Sequence, residues 1–366
     1  MMSSSAAFAE RHAPLPALPP LVSLDSAVAT AADRVGSVLD GTWHLDAVLN
    51  IGSSSVVYQA THQNGTRAAL KVLHPEYTFN ERLRCLLNRE AQILSRAEHP
   101  GVVRLLSHGV TKSGELFLAM ELLQGETLAG FLARSVRRTE TKQALLLTLL
   151  VLDALAALHE RGLVHREITT ENVFITQTGD IKLLGLGLAR ASSDAESDAE
   201  IGLGTVLGTP GFMPPEQAQG LNEEVDSRSD VWAVGALLFE LLTGLPVHFE
   251  ATTLFQKQTS GAFQPAPKLG SLLPSSGVKV QTAVDCALAF NKADRFRDAG
   301  AMRAALLRLL ILAPGRASPR PSGISYTPTP SLLRALQMAF EQVKRPKRRR
   351  GRAGNGSKRP LDRVLP

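Results

Sequence analysis

The pattern of apolar positions changes along the chain from short β-type runs to long helical stripes. Two β-rich runs, 42–58 and 67–73, flank the dipeptide Asn64-Gly65, which is a strong hairpin signal. A helical stripe at 80–97 follows, and its apolar positions are Leu83, Leu86, Leu87, Leu94 and Ala97. Two later runs, 102–106 and 116–122, predict further strands.

After Gly125 the spacing is helical almost throughout. It predicts helices at 142–161, 230–242, 279–290 and 299–312. This order indicates an α+β domain in which a small β-rich lobe with one helix precedes a larger helical lobe. We place the domain at 42–311, with its lobes at 42–122 and 126–311.

The two ends of the chain differ in composition from this domain. Residues 1–41 are rich in Ala, Pro and Ser and show no sustained period, so we expect them to be mostly disordered. We expect the same of the tail, 312–366. The net charge is +6, but 344–363 carries ten Lys/Arg and one acid, which leaves −3 for the rest. The basic character therefore belongs to the tail.

The tail allows two interpretations that the sequence leaves open. An apolar helical stripe precedes the basic run KRPKRRRGR, and it consists of Leu332, Leu333, Leu336, Ala339, Phe340 and Val343. Such a segment can bind nucleic acid or an anionic membrane surface. It can equally be a solvated, disordered tail.

Composition also narrows the class of protein. Cys85 and Cys286 lie far apart, and no Cys/His cluster has metal-ligand spacing, so we expect neither a disulfide framework nor a metal site of that kind. The N-terminus has no apolar signal-peptide region. The longest apolar stretch, 144–158, is interrupted by Asp153 and is too short to span a bilayer. We therefore expect a cytoplasmic protein without a transmembrane helix.

One acidic residue contradicts the pattern of the 80–97 helix. Glu90 lies on its apolar stripe, where an unpaired carboxylate is costly. The preceding strand offers Lys71, which is itself enclosed in the apolar run AALKVL. The two residues are therefore predicted to form an ion pair.

Seven segments, in this order, resemble motifs of the bacterial Ser/Thr protein kinases. LNIGSSSVVYQA resembles the glycine-rich loop, AALK the strand with the phosphate-binding lysine, and MELLQGETL the hinge. HREITTEN resembles the catalytic loop, and KLLGLGLAR occupies the place of the metal-binding Asp-Phe-Gly. GTPGFMPPEQ resembles the end of the activation segment, and SDVWAVGALLFELLTG the central helix of the large lobe. The resemblance covers about 42–311 and implies the bilobal protein kinase fold.

The resemblance also implies roles for individual residues. Lys71 holds nucleotide phosphates with Glu90 as its partner, and Met120 is the gatekeeper beside the adenine. The other positions expected to bind ATP are Asn50, Gly52, Ser55, Val57, Ala69, Glu121 and Leu123. In the large lobe, Asp230 is expected to brace the catalytic loop, and Glu216 to pair with Arg295.

The departures from the family pattern cluster where the γ-phosphate would lie. Glu167 replaces the catalytic Asp, Thr169 the following Lys, and Gly185 the metal-binding Asp. Asn172 is kept, but a single amide oxygen is a poor Mg²⁺ site, so we assign no metal ligands. Asn50 and Ser55 stand where glycines are usual, a weaker departure.

Two functions remain open at this point. The first is a pseudokinase: a regulatory or scaffold protein that binds protein partners in signalling and holds ATP, if at all, without Mg²⁺. The alternative is a weak Ser/Thr protein kinase that transfers the ATP γ-phosphate to protein hydroxyls with Glu167 as base.

Overall fold

The computed structural model of the chain describes residues 23–134, 139–191 and 208–312. The tail and the first 22 residues lie outside this range, so the expectations for them stay predictions. A β-rich lobe built around one antiparallel sheet precedes a helical lobe, which confirms the predicted α+β architecture.

The small lobe is a six-stranded antiparallel sheet in the order β1-β2-β3-β4-β6-β5. Its strands are β1 Val38–Leu39, β2 Trp43–Ile51, β3 Ser55–His62, β4 Arg67–Leu73, β5 Leu105–Val110 and β6 Leu116–Glu121. The predicted hairpin is confirmed, since Asn64 and Gly65 form the turn between β3 and β4. There Gly65 has φ +84°, and the Asn64 side chain accepts a hydrogen bond from Thr66 N at 2.9 Å.

The two faces of this sheet have different partners. Ala68, Leu70 and Val72 of β4 lie in a core formed by the neighbouring strands and helix α1, Leu24–Asp33. The opposite face packs against helix α2, Glu81–Arg96, which begins after Asn80; the Asn80 side chain caps it by accepting from Leu83 N. The alternation of β4 therefore directs Lys71 towards α2 and the cleft.

Residues 23–41, which the sequence analysis places in a disordered segment, are ordered in the structure. Leu24–Asp33 form helix α1, so the small lobe has two helices rather than one. Ala27 and Ala31 are buried against the sheet, and Arg34 Nη1 forms an ion pair with Glu115 Oε1 at 2.8 Å. Small alanine side chains give a weak apolar period, yet they permit close packing, which explains why the helix is missed.

The strand predicted at 102–106 begins later than expected. Val102 makes only an isolated parallel bridge to Leu183, and β5 starts at Leu105. The apolar run was misleading because Val102 and Val103 are buried in the main core without belonging to the sheet.

The large lobe is mainly helical, as predicted. Its helices are α3 Leu128–Arg134, α4 Thr141–Glu160, α5 Pro215–Ala218, α6 Ser227–Thr243, α7 Leu254–Phe263, α8 Leu269–Leu272, α9 Val278–Ala287 and α10 Ala299–Leu312. The large lobe also contains five short strands in two small sheets: β7 Gly125–Thr127, β8 Leu163–Val164, β9 Val173–Thr176, β10 Ile181–Leu183 and β11 Arg190–Ala191. Helix α6 starts with a capping box between Asp226 and Ser229.

Helix α4 is the one helix in the described ranges that is long and apolar enough to cross a membrane. However, 78% of its most apolar window is buried inside the protein. The same length and composition are found in core helices, and α4 packs against α6 and α10 as the centre of the large lobe.

Candidate functional site

The ion pair between Lys71 and Glu90 connects β4 to α2. Lys71 Nζ lies 2.7 Å from Glu90 Oε2, and the Glu90 side chain is 3% exposed, which confirms the predicted pair. Burial alone would lower the pKa of Lys71, but the charge and hydrogen bond of Glu90, and more weakly the charge of Glu167, raise it. Lys71 is therefore a charged ammonium at the edge of the cleft.

Strand register brings several predicted ATP-binding positions onto the face that carries Lys71. Val57 of β3 is opposite Lys71, and Ala69 is opposite Met120 of β6. Cross-strand partners point to the same side of a sheet. Asn50 pairs with Val57 at the end of β2. The structure thus brings these residues together, and their role in binding ATP stays a prediction.

The glycine-rich loop is held by a buried histidine that the sequence analysis did not single out. Gly52 N donates to Ser55 O at 2.8 Å, which closes the loop tip. His74 N donates to Ser54 O, and His74 Nε2 donates to Gly52 O at 2.8 Å. His74 is 1% exposed. No sequence signal announced this role, because it depends on how the loop folds back onto the end of β4.

In the hinge segment the acidic side chain is engaged by other groups, and one backbone N–H has no partner among the described residues. The Glu121 carboxylate accepts from Arg104 N at 2.9 Å and from Lys182 Nζ at 2.5 Å, so it is engaged elsewhere. Within the described part of the chain, the N–H of Leu123 donates to no other group. That N–H is suited to a planar base with an acceptor nitrogen.

Asp230 holds the catalytic-loop segment in shape, as predicted. Its carboxylate accepts from His165 N and Arg166 N at 2.8 Å each and pairs with His159 Nε2 at 2.9 Å. Burial alone would raise the pKa of Asp230, but the hydrogen bond and charge of His159 and the neighbouring His165 hold it below the usual value. Arg166 is one of two non-glycine residues at positive φ in the described ranges (φ +67°), a strained conformation that these bonds maintain.

Glu167, Thr169 and Asn172 belong to the same loop; Thr169 is buried, and Glu167 and Asn172 are partly exposed. Asn172 Nδ2 donates to Glu167 O at 2.9 Å, and Thr169 Oγ1 accepts from Asn172 N at 3.2 Å. Burial raises the pKa of Glu167 to about 7; Glu90 acts in the same direction, while Lys71 and the hydrogen bond from Asn172 oppose it. The carboxyl is thus close to half protonated at neutral pH.

Gly185 follows β10 and has φ +71°. A Cβ added there would lie 2.6 Å from Asn172 Oδ1, so the amide of Asn172 fills the space beside it. The next residue, Leu186, is fully buried in the main core against α2. The apolar residue of this motif is therefore kept as Leu186, whereas the acidic residue is replaced by Gly185.

Comparison with known proteins identifies the family. The sequence profile described as "Protein kinase domain" matches residues 43–280. The chain belongs to the protein kinase family. It is 34% identical over 280 residues to a probable serine/threonine-protein kinase PknB of Corynebacterium glutamicum, and 35% identical over 274 residues to the serine/threonine-protein kinase PknL of Mycobacterium tuberculosis.

Each of these alignments covers 74% of the chain, but only 43% of the first relative and 66% of the second. This protein kinase chain thus spans less than half the length of the corynebacterial protein. The solved kinase domain of Mycobacterium tuberculosis PknI matches with a TM-score of 0.58 at 24% identity, over 75% of this chain and 98% of that one. That likeness supports the bilobal fold.

The residues of this protein kinase domain do not fit the Mg²⁺ that the family implies. Gly185 supplies no ligand, and Asn172 is bonded within its own loop. Across the described ranges, no group of three His, Cys, Asp or Glu side chains is placed to hold a metal ion. Mg²⁺ is normally held through carboxylates and substrate phosphates together.

A cavity of about 310 Å³ lies between the glycine-rich loop, α2 and the Gly185 turn. Lys71, Glu90 and Glu167 line it, as does Arg82, a residue that the sequence analysis missed. Arg82 stands eight residues before Glu90, near the same face of α2. That spacing was the available signal, since Leu86 and Glu90 continue the same row.

The large lobe is stabilised by the predicted pair of Glu216 and Arg295. Arg295 Nη1 and Nη2 lie 2.8 and 2.9 Å from the two carboxylate oxygens, and Ser229 Oγ also donates to Glu216. The Arg295 guanidinium stacks over Trp232 at 4.9 Å. This bidentate pair fixes the start of α5 below the catalytic loop.

Proposed function

We propose that this chain is a pseudokinase that binds a nucleotide in its cleft without a divalent metal and acts on protein partners through its conformation. One observation carries the proposal: Gly185 stands at the metal position, and Asn172 fills the space where an acidic side chain would lie. Phosphoryl transfer depends on positioning and on neutralising the charge of the transferred group. The cleft lacks the group that usually does this.

The second missing charge supports the same proposal. Thr169 stands where the family has a lysine, and its hydroxyl accepts from Asn172 N at 3.2 Å. Thr169 is 3% exposed, so it is part of the loop's internal bonding. It contributes neither a positive charge nor an accessible donor for a γ-phosphate.

Features that hold a nucleotide persist beside these losses. The Lys71–Glu90 pair is formed, the N–H of Leu123 is available, and Leu186 supports α2 from the core. Protein kinase domains bind ATP in general, and these contacts need no metal. Nucleotide binding that outlasts catalysis is therefore the expected behaviour.

The alternative, a weakly active Ser/Thr kinase, has one observation in its favour. Glu167 has a pKa of about 7, and a general base is most effective when its pKa lies near the working pH. The longer side chain, however, displaces the carboxylate from the family's position, and ~1 Å of misplacement costs on the order of 10²-fold.

The test combines nucleotide binding with phosphoryl transfer. We expect ATP to bind with the same affinity in EDTA and in Mg²⁺, measured by calorimetry. We expect no transfer above background from radiolabelled ATP to generic acceptors or to the chain itself, under Mg²⁺ or Mn²⁺. Stoichiometric autophosphorylation that disappears in Lys71→Met would replace the pseudokinase by the weak kinase.

Partners and cellular place are part of the proposal. A kinase fold without efficient transfer acts through surfaces, so we propose protein partners in signalling and a cytoplasmic location. Contact with nucleic acid or an anionic membrane would come from the 344–363 tail, outside the described residues.

A further inference from the structure

Arg82 is the one charged group lining the cleft cavity that has no partner among the described residues. Lys71 and Glu90 neutralise each other at 2.7 Å, and Glu167 is oriented by Asn172. Arg82 also lines this cavity, with Ser53, Ser54 and Ser55 of the glycine-rich loop. A basic side chain facing a serine-rich loop is a suitable environment for an anion.

The Arg82 side chain has no anionic partner in the described part of the protein. Its Nε is buried without a hydrogen-bond acceptor, and no ion pair includes the residue. Burial lowers the pKa of Arg82, and no carboxylate offsets that effect. Nearby Arg84, in contrast, donates to the backbone oxygens of Thr78 and Gly114. A partly desolvated guanidinium costs free energy unless a ligand supplies its partner.

Position along α2 indicates which part of a ligand Arg82 would meet. Eight residues separate it from Glu90, so the two Cα atoms are about 12 Å apart at a rise of ~1.5 Å per residue. Lys71, bonded to Glu90, therefore marks one end of the cavity, and Arg82 lies towards the other. A chain of phosphates that starts at Lys71 and passes under the glycine-rich loop would end near Arg82.

We propose that Arg82 is a second phosphate-binding cation of this cleft, which holds the terminal phosphate of a nucleoside triphosphate in place of a metal ion. The inference rests on the proposed function and specifies its ligand. The guanidinium offers a planar pair of donors that matches two phosphate oxygens, and the loop serines add neutral donors. Glu167 is the repelling group in the same cavity, and it is close to half neutral at pH 7.

The experiment measures binding of ATP, ADP and adenosine in EDTA by calorimetry. It compares the full-length wild-type chain with Arg82→Gln, Arg82→Lys and the control Arg96→Gln. Arg96 belongs to the same helix but is exposed in its last turn, outside the cavity. We expect Arg82→Gln to weaken ATP by about 10- to 100-fold, the size of a charge-assisted hydrogen bond, and adenosine by less than about twofold.

Further measurements test whether the site recognises the phosphates or the base, and whether Arg82 is instead needed for folding. If Arg82→Gln binds inorganic triphosphate more weakly than the wild type does, by the same factor as for ATP, Arg82 recognises the phosphates rather than the base. Arg82→Lys keeps the positive charge but not the paired donors, so its affinity for ATP should lie between those of the wild type and Arg82→Gln. Because the apo guanidinium has no partner, Arg82→Gln should melt no lower than Arg96→Gln. A lower midpoint together with lost adenosine binding would assign Arg82 to folding and overturn the proposal.

The two proposals fail in different ways. If wild type and Arg82→Gln bind ATP equally in EDTA, Arg82 is not a phosphate ligand, and the pseudokinase stands. If the wild type binds ATP only with Mg²⁺, the proposed function fails, and titration of the same four proteins with Mg²⁺ and ATP decides on Arg82. If no nucleotide binds under either condition, both are overturned.

Discussion

Among single residues, Glu90 carries the strongest constraint on the small lobe, because its carboxylate is almost completely buried beside Lys71. Removing one partner of a buried pair leaves the other charge uncompensated, at a cost of ~3–5 kcal/mol. Lys71 is 23% exposed, so the lower end of that range applies. We expect Glu90→Ala to lower the thermal midpoint clearly, whereas the exposed Glu223→Ala should not. Equal midpoints for the two variants would show that the pair does not stabilise the fold.

Glu167 gives a second prediction at this scale, since its pKa of about 7 exceeds the usual value of 4.5. The folded state then binds more protons than the unfolded state between these two values. Stability contributed by this site therefore decreases as pH rises from about 4.5 to 7, by at most ~3 kcal/mol and less where water enters the cleft.

Glu167→Gln removes this titration, so we expect it to stabilise the protein relative to wild type at pH 8 but not at pH 4.5. Denaturant unfolding at the two pH values measures the difference. Glu171→Gln, an exposed acid in the same loop, is the control. A stability gain that is independent of pH would mean that the Glu167 carboxyl titrates normally.

Single residues could be predicted from the sequence where a buried charge requires a partner. They could not be predicted where the contact forms only after a loop folds back onto the sheet. Glu90 on an apolar stripe required a cation, and only Lys71 was near in a neighbouring strand. His74 and Arg82 lacked a burial signal of this kind, and for Arg82 only its helical spacing from Glu90 was available. His74 acts through a bond to Gly52 O that exists only once the loop closes, and Arg82 is distinguished by a partner it lacks.

At the scale of elements, the turn after β10 determines whether an acidic side chain can be accommodated at residue 185. Gly185 adopts φ +71°, and an added Cβ would meet the Asn172 amide at 2.6 to 2.8 Å. Gly41 has a similar φ of +67° but open space around it. Comparing substitutions at these two glycines separates backbone strain from the clash with Asn172.

We expect Gly185→Ala to destabilise the protein by ~1–3 kcal/mol more than Gly41→Ala, the usual cost of forcing atoms into a packed site. Adding Asn172→Ala should recover most of that difference, because it removes the obstructing amide. Denaturant unfolding of the three variants measures this. If Gly41→Ala and Gly185→Ala cost the same, Asn172 moves freely, and restoring an acid at residue 185 needs no second change.

Helix α1 shows the limit of pattern analysis for elements. Long stripes such as α4 and α6 were predicted to within a few residues, because leucines at helical spacing leave little choice. Helix α1 instead presents alanines, Ala27 and Ala31, and obtains its stability from the surface of the sheet and from the Arg34–Glu115 bridge. Those partners are distant in sequence, so local pattern does not reveal them.

At the scale of the whole molecule, membership of the protein kinase family accounts for the architecture, whereas the residues in the cleft decide which chemistry is available. The match to the protein kinase domain covers 43–280, and the retained pairs Glu216–Arg295 and Lys71–Glu90 hold the two lobes in family form. The altered positions 167, 169 and 185 are all in the cleft. The departures from the family pattern thus lie together in one part of the molecule, while the ion pairs of the scaffold are formed.

The charge of the whole chain leads to the last prediction. The segment 344–363 has a net charge of +9, while the rest sums to −3, so any polyanion binding should come from the tail. Such binding releases counterions and therefore weakens steeply with salt. We expect the full chain, but not a chain truncated after Pro314, to bind DNA or anionic vesicles at low salt.

The truncation leaves the described residues intact, so its nucleotide affinity and melting midpoint serve as controls for folding. A truncated chain that binds polyanions as tightly as the full chain would place the site on the domain. Binding to DNA but not to anionic vesicles, or the reverse, identifies the partner. Tail binding that leaves ATP affinity unchanged would mean that tail and cleft act independently, since coupled binding sites must alter each other's affinity reciprocally.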